Sequence, residues 1–134
     1  MGHTADDQRE TFLMRARQGS HWYGLAGIRD ISMSPVWPEG RGVMIVRPLL
    51  AARRDALRAL LETENTQWVD DPSNLNPAYE RVRMRHCLKA SPSLLQRIDG
   101  IQADITRLRA AEDKKLADWL ERRVTLNPDG SVYV

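Results

Sequence analysis

The run His3-Thr4-Ala5-Asp6-Asp7-Gln8-Arg9-Glu10-Thr11 gathers a histidine, three acids and two hydroxyls around one expected helix start. Asp7 and Glu10 stand three positions apart, so they share a helix face about one turn from each other. Carboxylates so placed can hold Mg²⁺, bind an ammonium group or transfer a proton. A plainer role competes: acids favour the first turn of any solvated, well-capped helix through its dipole. The residues alone leave both roles open.

A second group is Asp70-Asp71-Pro72-Ser73-Asn74, followed by Tyr79, Arg81, Arg83 and Arg85. A loop rich in hydrogen-bonding groups runs into a basic helix. Arg81 and Arg85 are four apart and stack on one face, an arrangement suited to a phosphate or carboxylate. The competing role is a solvated basic face paired with Asp70, Asp71 or Glu80. A third candidate is Arg47, at the end of the apolar run Val43 to Val46. Ligands bind at strand ends in open α/β sheets, although an arginine can also simply snorkel where a chain leaves the core.

The elements that must position these groups follow from pattern. Thr4 with Asp7 reads as a capping-box-like start to a helix running to Gln18, with Phe12, Leu13 and Ala16 as its apolar stripe. Residues 20 to 30 read as loop. Ile31 to Trp37 and Val43 to Val46 read as strands separated by Pro38, Gly40 and Gly42. The continuous run Val43-Met44-Ile45-Val46 predicts burial on both faces. Arg54 to Glu64 is an amphipathic helix carrying Ala56, Leu57, Leu60 and Leu61. Trp68 and Val69 follow as a short extended piece. Asp70 to Pro77 is an ordered loop, and Pro77 is placed to begin the next helix, running to Lys89. The longest helix spans about Ser93 to Arg122. Its apolar repeat runs from Leu94 through Ile98, Ile101, Ile105 and Leu108, then slips before Leu116 and Leu120, as a stutter does. Such a seam needs another helix to cover it. Asn127-Pro128-Asp129-Gly130 marks a turn between Val124–Leu126 and Val132–Val134.

Composition narrows the class. A chain of 134 residues, 42% hydrophobic, can build one ordinary domain or a small domain with a helical arm. Twenty Lys and Arg against 18 Asp and Glu leave a net charge of +2. Bulk charge therefore does not hold this chain to nucleic acid, and an RNA contact would be a local patch. Cys87 is the single cysteine, which excludes an intrachain disulfide and a cysteine metal cluster. That suits a reducing, cytoplasmic setting. There is no apolar run of about 18 residues, so no membrane partner is expected.

In order and spacing the groups resemble one family. His3 to Thr11, Gly24 to Ile28, Arg47 to Leu50, Trp68 to Asn74 and Tyr79 to Arg85 are together similar to the tRNA(Ile)-lysidine synthetases. These are PP-loop ATP pyrophosphatases with a Rossmann-like parallel sheet. The resemblance implies a mixed α/β, mostly helical chain. Residues 1–89 would be the C-terminal half of the PP-loop catalytic domain, and 90–134 a helical linker with a long helix and terminal hairpin. It implies ATP and Mg²⁺ as cofactors, with isoleucine tRNA and free lysine as partners. ATP adenylates the wobble cytidine, and the lysine amine displaces AMP. Asp7, Glu10 and Arg81 would form the catalytic set, with Asp7 also the Mg²⁺-linked acid and Glu10 helping to hold lysine. His3, Asp6, Arg47, Asn74 and Arg85 would bind substrate. The family's Ser-Gly-Gly-x-Asp-Ser phosphate loop precedes the first of these motifs and does not occur in this chain. The expectation is accordingly a segment inactive by itself, whose uncovered apolar faces favour a homo-oligomer. Val82 stands where many relatives carry Asn. Other readings are a different PP-loop tRNA-modifying enzyme, disfavoured by the lone Cys87, and a non-catalytic helical interaction module.

Overall fold

The computed structural model describes residues 1–127 and 131–133. Helix α1 spans Ala5–Arg17, the one-turn α2 Trp22–Leu25, strands β1 and β2 Ile31–Met33 and Met44–Val46, and α3 Arg54–Thr63. A 3₁₀ turn over Pro72–Leu75 leads to α4 at Glu80–Ala90 and α5 at Pro92–Arg123. Strands β3, Thr125–Leu126, and β4, Val132–Tyr133, end the described chain. The chain is mostly helical. The two sheets among the described residues are antiparallel pairs, β1 with β2 and β3 with β4, rather than part of a parallel sheet. The terminal hairpin is therefore present. Residues 128–130 of its expected turn, and Val134, lie outside the described residues.

Helix α1 starts as the capping pattern predicts. The Thr4 backbone N–H and hydroxyl both donate to Asp7 Oδ2, each at 2.8 Å. Phe12 then meets Leu88 of α4 and Ile98 of α5 in the buried core, with Leu13, Leu25, Leu94, Leu95 and Ile105 packed around them. Burial of each such side chain is worth about 1.5–3 kcal/mol, so this three-helix junction holds the fold.

Helix α5, 32 residues long, extends about 48 Å. Pro92 occupies its first turn, where the missing N–H costs nothing. Only its first half is covered by α1, α2 and α4. Beyond buried Arg109, the side chains of Leu116, Trp119 and Leu120 are exposed.

Three expectations need correction. Residues 22–25 form a helical turn, not loop: the carbonyls of Gly24 and Gly27 are met by Arg15, and that of Gly27 also by Arg109 at 3.1 Å. These guanidiniums satisfy the carbonyls that end a short helix. Pro77 does not begin α4. The Asn76 side chain accepts the Ala78 N–H at 2.9 Å in a local turn, and the helix starts at Glu80. The run Val43 to Val46 is not buried on both faces: Val43, Met44 and Val46 are all about half exposed or more. A two-stranded ribbon has no neighbouring sheet to bury the second face.

Candidate functional site

The N-termini of α1 and α3 meet, and acids from α1 serve both. The Ala5 N–H donates to the Ala52 carbonyl at 2.9 Å, while the Arg54 N–H donates to Asp6 Oδ2 at 2.7 Å. Asp6 thus caps α3 from another element, offsetting a free helix N–H as a local cap would. That docking brings the Arg54 side chain over α1. Its Nη2 donates to Asp7 Oδ1 at 3.3 Å, and its Nη1 lies 3.8 Å from Glu10 Oε1.

Glu10, only 1% exposed, sits beneath this contact. Arg85 Nε donates to its Oε1 at 2.8 Å, and Arg81 Nε lies 3.9 Å from its Oε2. That second oxygen is buried without a hydrogen-bond partner. A buried carboxylate oxygen left so is costly, about 1–3 kcal/mol or more. The acids are consequently not the solvated first turn that composition allowed. Arg81 and Arg85 of α4 turn inward to Glu10, while Asp70 is met by Arg58 and Glu80 by Arg17.

A cavity of about 450 Å³ opens above them, lined by Asp7, Arg54, Asn74, Tyr79, Arg81 and Arg85 among others. Three guanidiniums here face the carboxylates of Asp7 and Glu10. Burial alone would raise the Asp7 carboxyl. The Thr4 hydrogen bonds and the charges of Arg54 and Arg81 outweigh it and hold the group below the ordinary carboxylate value. Arg85 is pushed up, first by its hydrogen bond to Glu10, against the effect of burial.

The expected site residues therefore divide. Asp7, Asn74, Arg81 and Arg85 line one cavity with Glu10 beneath it, and the Asn74 carbonyl accepts from Arg85 Nη1 at 3.5 Å. Arg47 and His3 lie elsewhere. Arg47 Nε donates to His3 Nδ1 at 3.3 Å, and its Nη1 meets the Arg29 carbonyl at 2.9 Å and Ser32 Oγ at 3.0 Å. Arg47 lines a separate hollow of about 460 Å³ with Gln8, Asp30, Val46 and Pro48. Gln8 itself is a brace, its amide both donating to the Ile28 carbonyl and accepting the Ile28 N–H at 2.7 Å. Val82 is buried and lines the cavity beside Arg81. Arg54 was not among the expected residues. It is the residue that reaches both Asp7 and Glu10.

The described residues hold no group of three His, Cys, Asp or Glu side chains placed for a metal ion. Asp7 spends one oxygen on Thr4 and the other on Arg54. This donor set does not fit Mg²⁺, whereas the three guanidiniums fit a phosphate-bearing group such as ATP.

The sequence model of the PP-loop domain matches residues 1–91, which include this whole cavity. The chain belongs to the PP-loop domain family. It is 56% identical over 133 residues to the tRNA(Ile)-lysidine synthase of Hyphomonas neptunium, covering 96% of this chain and 35% of that protein. It is 50% identical over 91 residues to the Zymomonas mobilis enzyme of the same name, covering 67% and 27% of the respective chains. A third so named, from Novosphingobium aromaticivorans, is 40% identical over 126 residues, 93% of this chain and 36% of its own. The chain thus spans roughly a third of the length of these relatives. No described helix is long and apolar enough to cross a membrane.

Proposed function

We propose that this chain forms the lysine- and tRNA-facing part of a cytoplasmic tRNA(Ile)-lysidine synthetase. In the complete polypeptide a Rossmann-like sheet carries the phosphate loop, and ATP supplies the adenylyl group that activates the wobble cytidine of isoleucine tRNA. The observation that carries this reading is Glu10: a buried carboxylate, one oxygen without a hydrogen bond, ion-paired with Arg54, Arg81 and Arg85, which line the neighbouring cavity.

Such a carboxylate suits the cationic amine of free lysine, and Asp7 beside it adds a second negative charge. Binding there positions lysine, the entropic part of catalysis, and the amine attacks only after its ammonium proton has passed to a carboxylate or to water. Arg81 and Arg85 suit the phosphates of nucleotide and RNA, and Asn74 lies at the same mouth. His3 and Arg47 brace the neighbouring wall rather than the amine pocket. No step is assigned to Mg²⁺.

The test is Glu10→Gln in the complete polypeptide, with lysidine in isoleucine tRNA read by nucleoside mass spectrometry. Glutamine keeps the shape and can still accept from Arg85, but loses the charge. Loss of about a hundredfold or more in rate is expected, the scale of a removed electrostatic contact at a reacting centre. A folded, fully active variant would refute the reading.

A further inference from the structure

The three guanidiniums at the cavity are not held alike. Arg85 donates to Glu10 at 2.8 Å and is largely covered, whereas Arg54 reaches Asp7 at 3.3 Å and Glu10 at 3.8 Å and is a third exposed. Helix α3 is docked through the Arg54 backbone N–H and Asp6, not through the side chain. The Arg54 head can therefore leave without undocking its helix. While in place it bridges the two carboxylates, the position that an entering alkylammonium needs. It also walls the cavity whose other basic residues suit phosphate.

We propose that Arg54 is an internal counter-ion for Asp7 and Glu10, a built-in competitor that a substrate ammonium displaces. This rests on the reading of those carboxylates as the amine-binding pair. Arg81 and Arg85 offset Glu10 in part, but without Arg54 or a ligand cation the Asp7 carboxylate one helical turn away would lose its ion-paired guanidinium and repel Glu10. Arg54 stabilises the empty site, and its long contacts keep that stabilisation small enough for a ligand to overcome. Once displaced, the guanidinium is free within the cavity to meet a phosphate. Amine binding at the floor and anion binding at the mouth are then linked through one side chain.

The experiment is titration of the full chain with L-lysine by calorimetry or NMR, with norleucine, which lacks the side-chain amine, as control. Removing the competitor in Arg54→Gln should tighten lysine binding about two- to fivefold, the range of a partly exposed ion pair, and leave norleucine unchanged. Arg54→Lys, whose single ammonium cannot fork across both oxygens, should fall between that variant and the wild type. Thermal melting accompanies each titration. If the glutamine variant does not fold, the lysine variant decides alone. Equal or weaker lysine binding in the variants overturns the competitor role. If the wild type still binds lysine and Glu10→Gln does not, the amine-site reading survives that result. Absence of lysine binding in wild type and variants alike overturns both.

Discussion

Arg85 Nε donates to Glu10 Oε1 at 2.8 Å across 75 positions of sequence, tying α4 to α1 at the most deeply buried acid among the described residues. The bond is structural and electrostatic together. It joins two core helices and leaves the other Glu10 oxygen, Oε2, without a hydrogen bond.

Glu10→Ala should therefore destabilise the chain. It removes one partner of a buried, charge-assisted pair and leaves Arg85, Arg81 and Arg54 facing one another. A loss of about 3–5 kcal/mol is expected. Asp7→Ala, which removes a first-turn cap and a partly exposed ion pair, should cost about 1–2 kcal/mol. Urea unfolding followed by circular dichroism measures both. Equal small losses would mean that Glu10 is solvated in solution.

The depressed Asp7 pKa sets a pH signature. An unfolded Asp titrates near 3.9, and the folded group lies lower. Its stabilising contribution is thus complete above about pH 4 and lost as pH falls through the folded value. The stability gap between wild type and Asp7→Asn should be widest at neutral pH and shrink on acidification below about pH 4. A gap independent of pH would show that the Thr4 and Arg54 contacts do not favour the carboxylate.

Local pattern made much of this fold legible. Thr4 with Asp7 announces α1, the repeat through Ile98 and Ile105 announces α5, and Pro and Gly mark the β1–β2 turn. The pairing of sites was less so. Two clusters read separately, around Glu10 and around Arg85, are one site because Phe12 and Leu88 pack together, a contact no spacing rule encodes. Arg54 looks like an ordinary first-turn residue of an amphipathic helix. Only the docking of α3 by Asp6 turns it over the acids. The run Val43 to Val46 misled because apolar composition reports what a strand can bury, not whether a neighbour is present.

Gly27 offers a test of the brace beneath the site. Its φ is +80°, and a Cβ there would lie 2.3 Å from Gln8 Oε1. Gly27→Ala must strain the backbone, at about 1–2 kcal/mol, and also push Gln8 off Ile28. A total loss of about 2–4 kcal/mol is expected. Amide exchange should speed first at Ile28. If stability drops by the backbone amount alone, Gln8 has moved without losing its partner.

The ribbon of β1 and β2 predicts association. Its register sets Ile31 opposite Val46 and Met33 opposite Met44, so these four share one face. All four are about half exposed or more, with Met44 at 64%. Covering each gains about 1.5–3 kcal/mol, and the open strand edges add backbone groups that invite pairing with another copy. The far end of α5, with Leu116, Trp119 and Leu120, is a second uncovered face. Opposing this, 38 charged side chains of nearly balanced sign keep the surface hydrated. The apolar ribbon face outweighs them because it is contiguous, with Asp30 and Arg47 bordering it at the Ile31–Val46 end. Sedimentation at tens of micromolar should show dimers or larger species. Met33→Lys with Met44→Lys should return the monomer if the ribbon is responsible, and Leu116→Lys should do so if α5 is. A wild-type monomer that binds no hydrophobic dye would show that both faces close on the chain itself in solution.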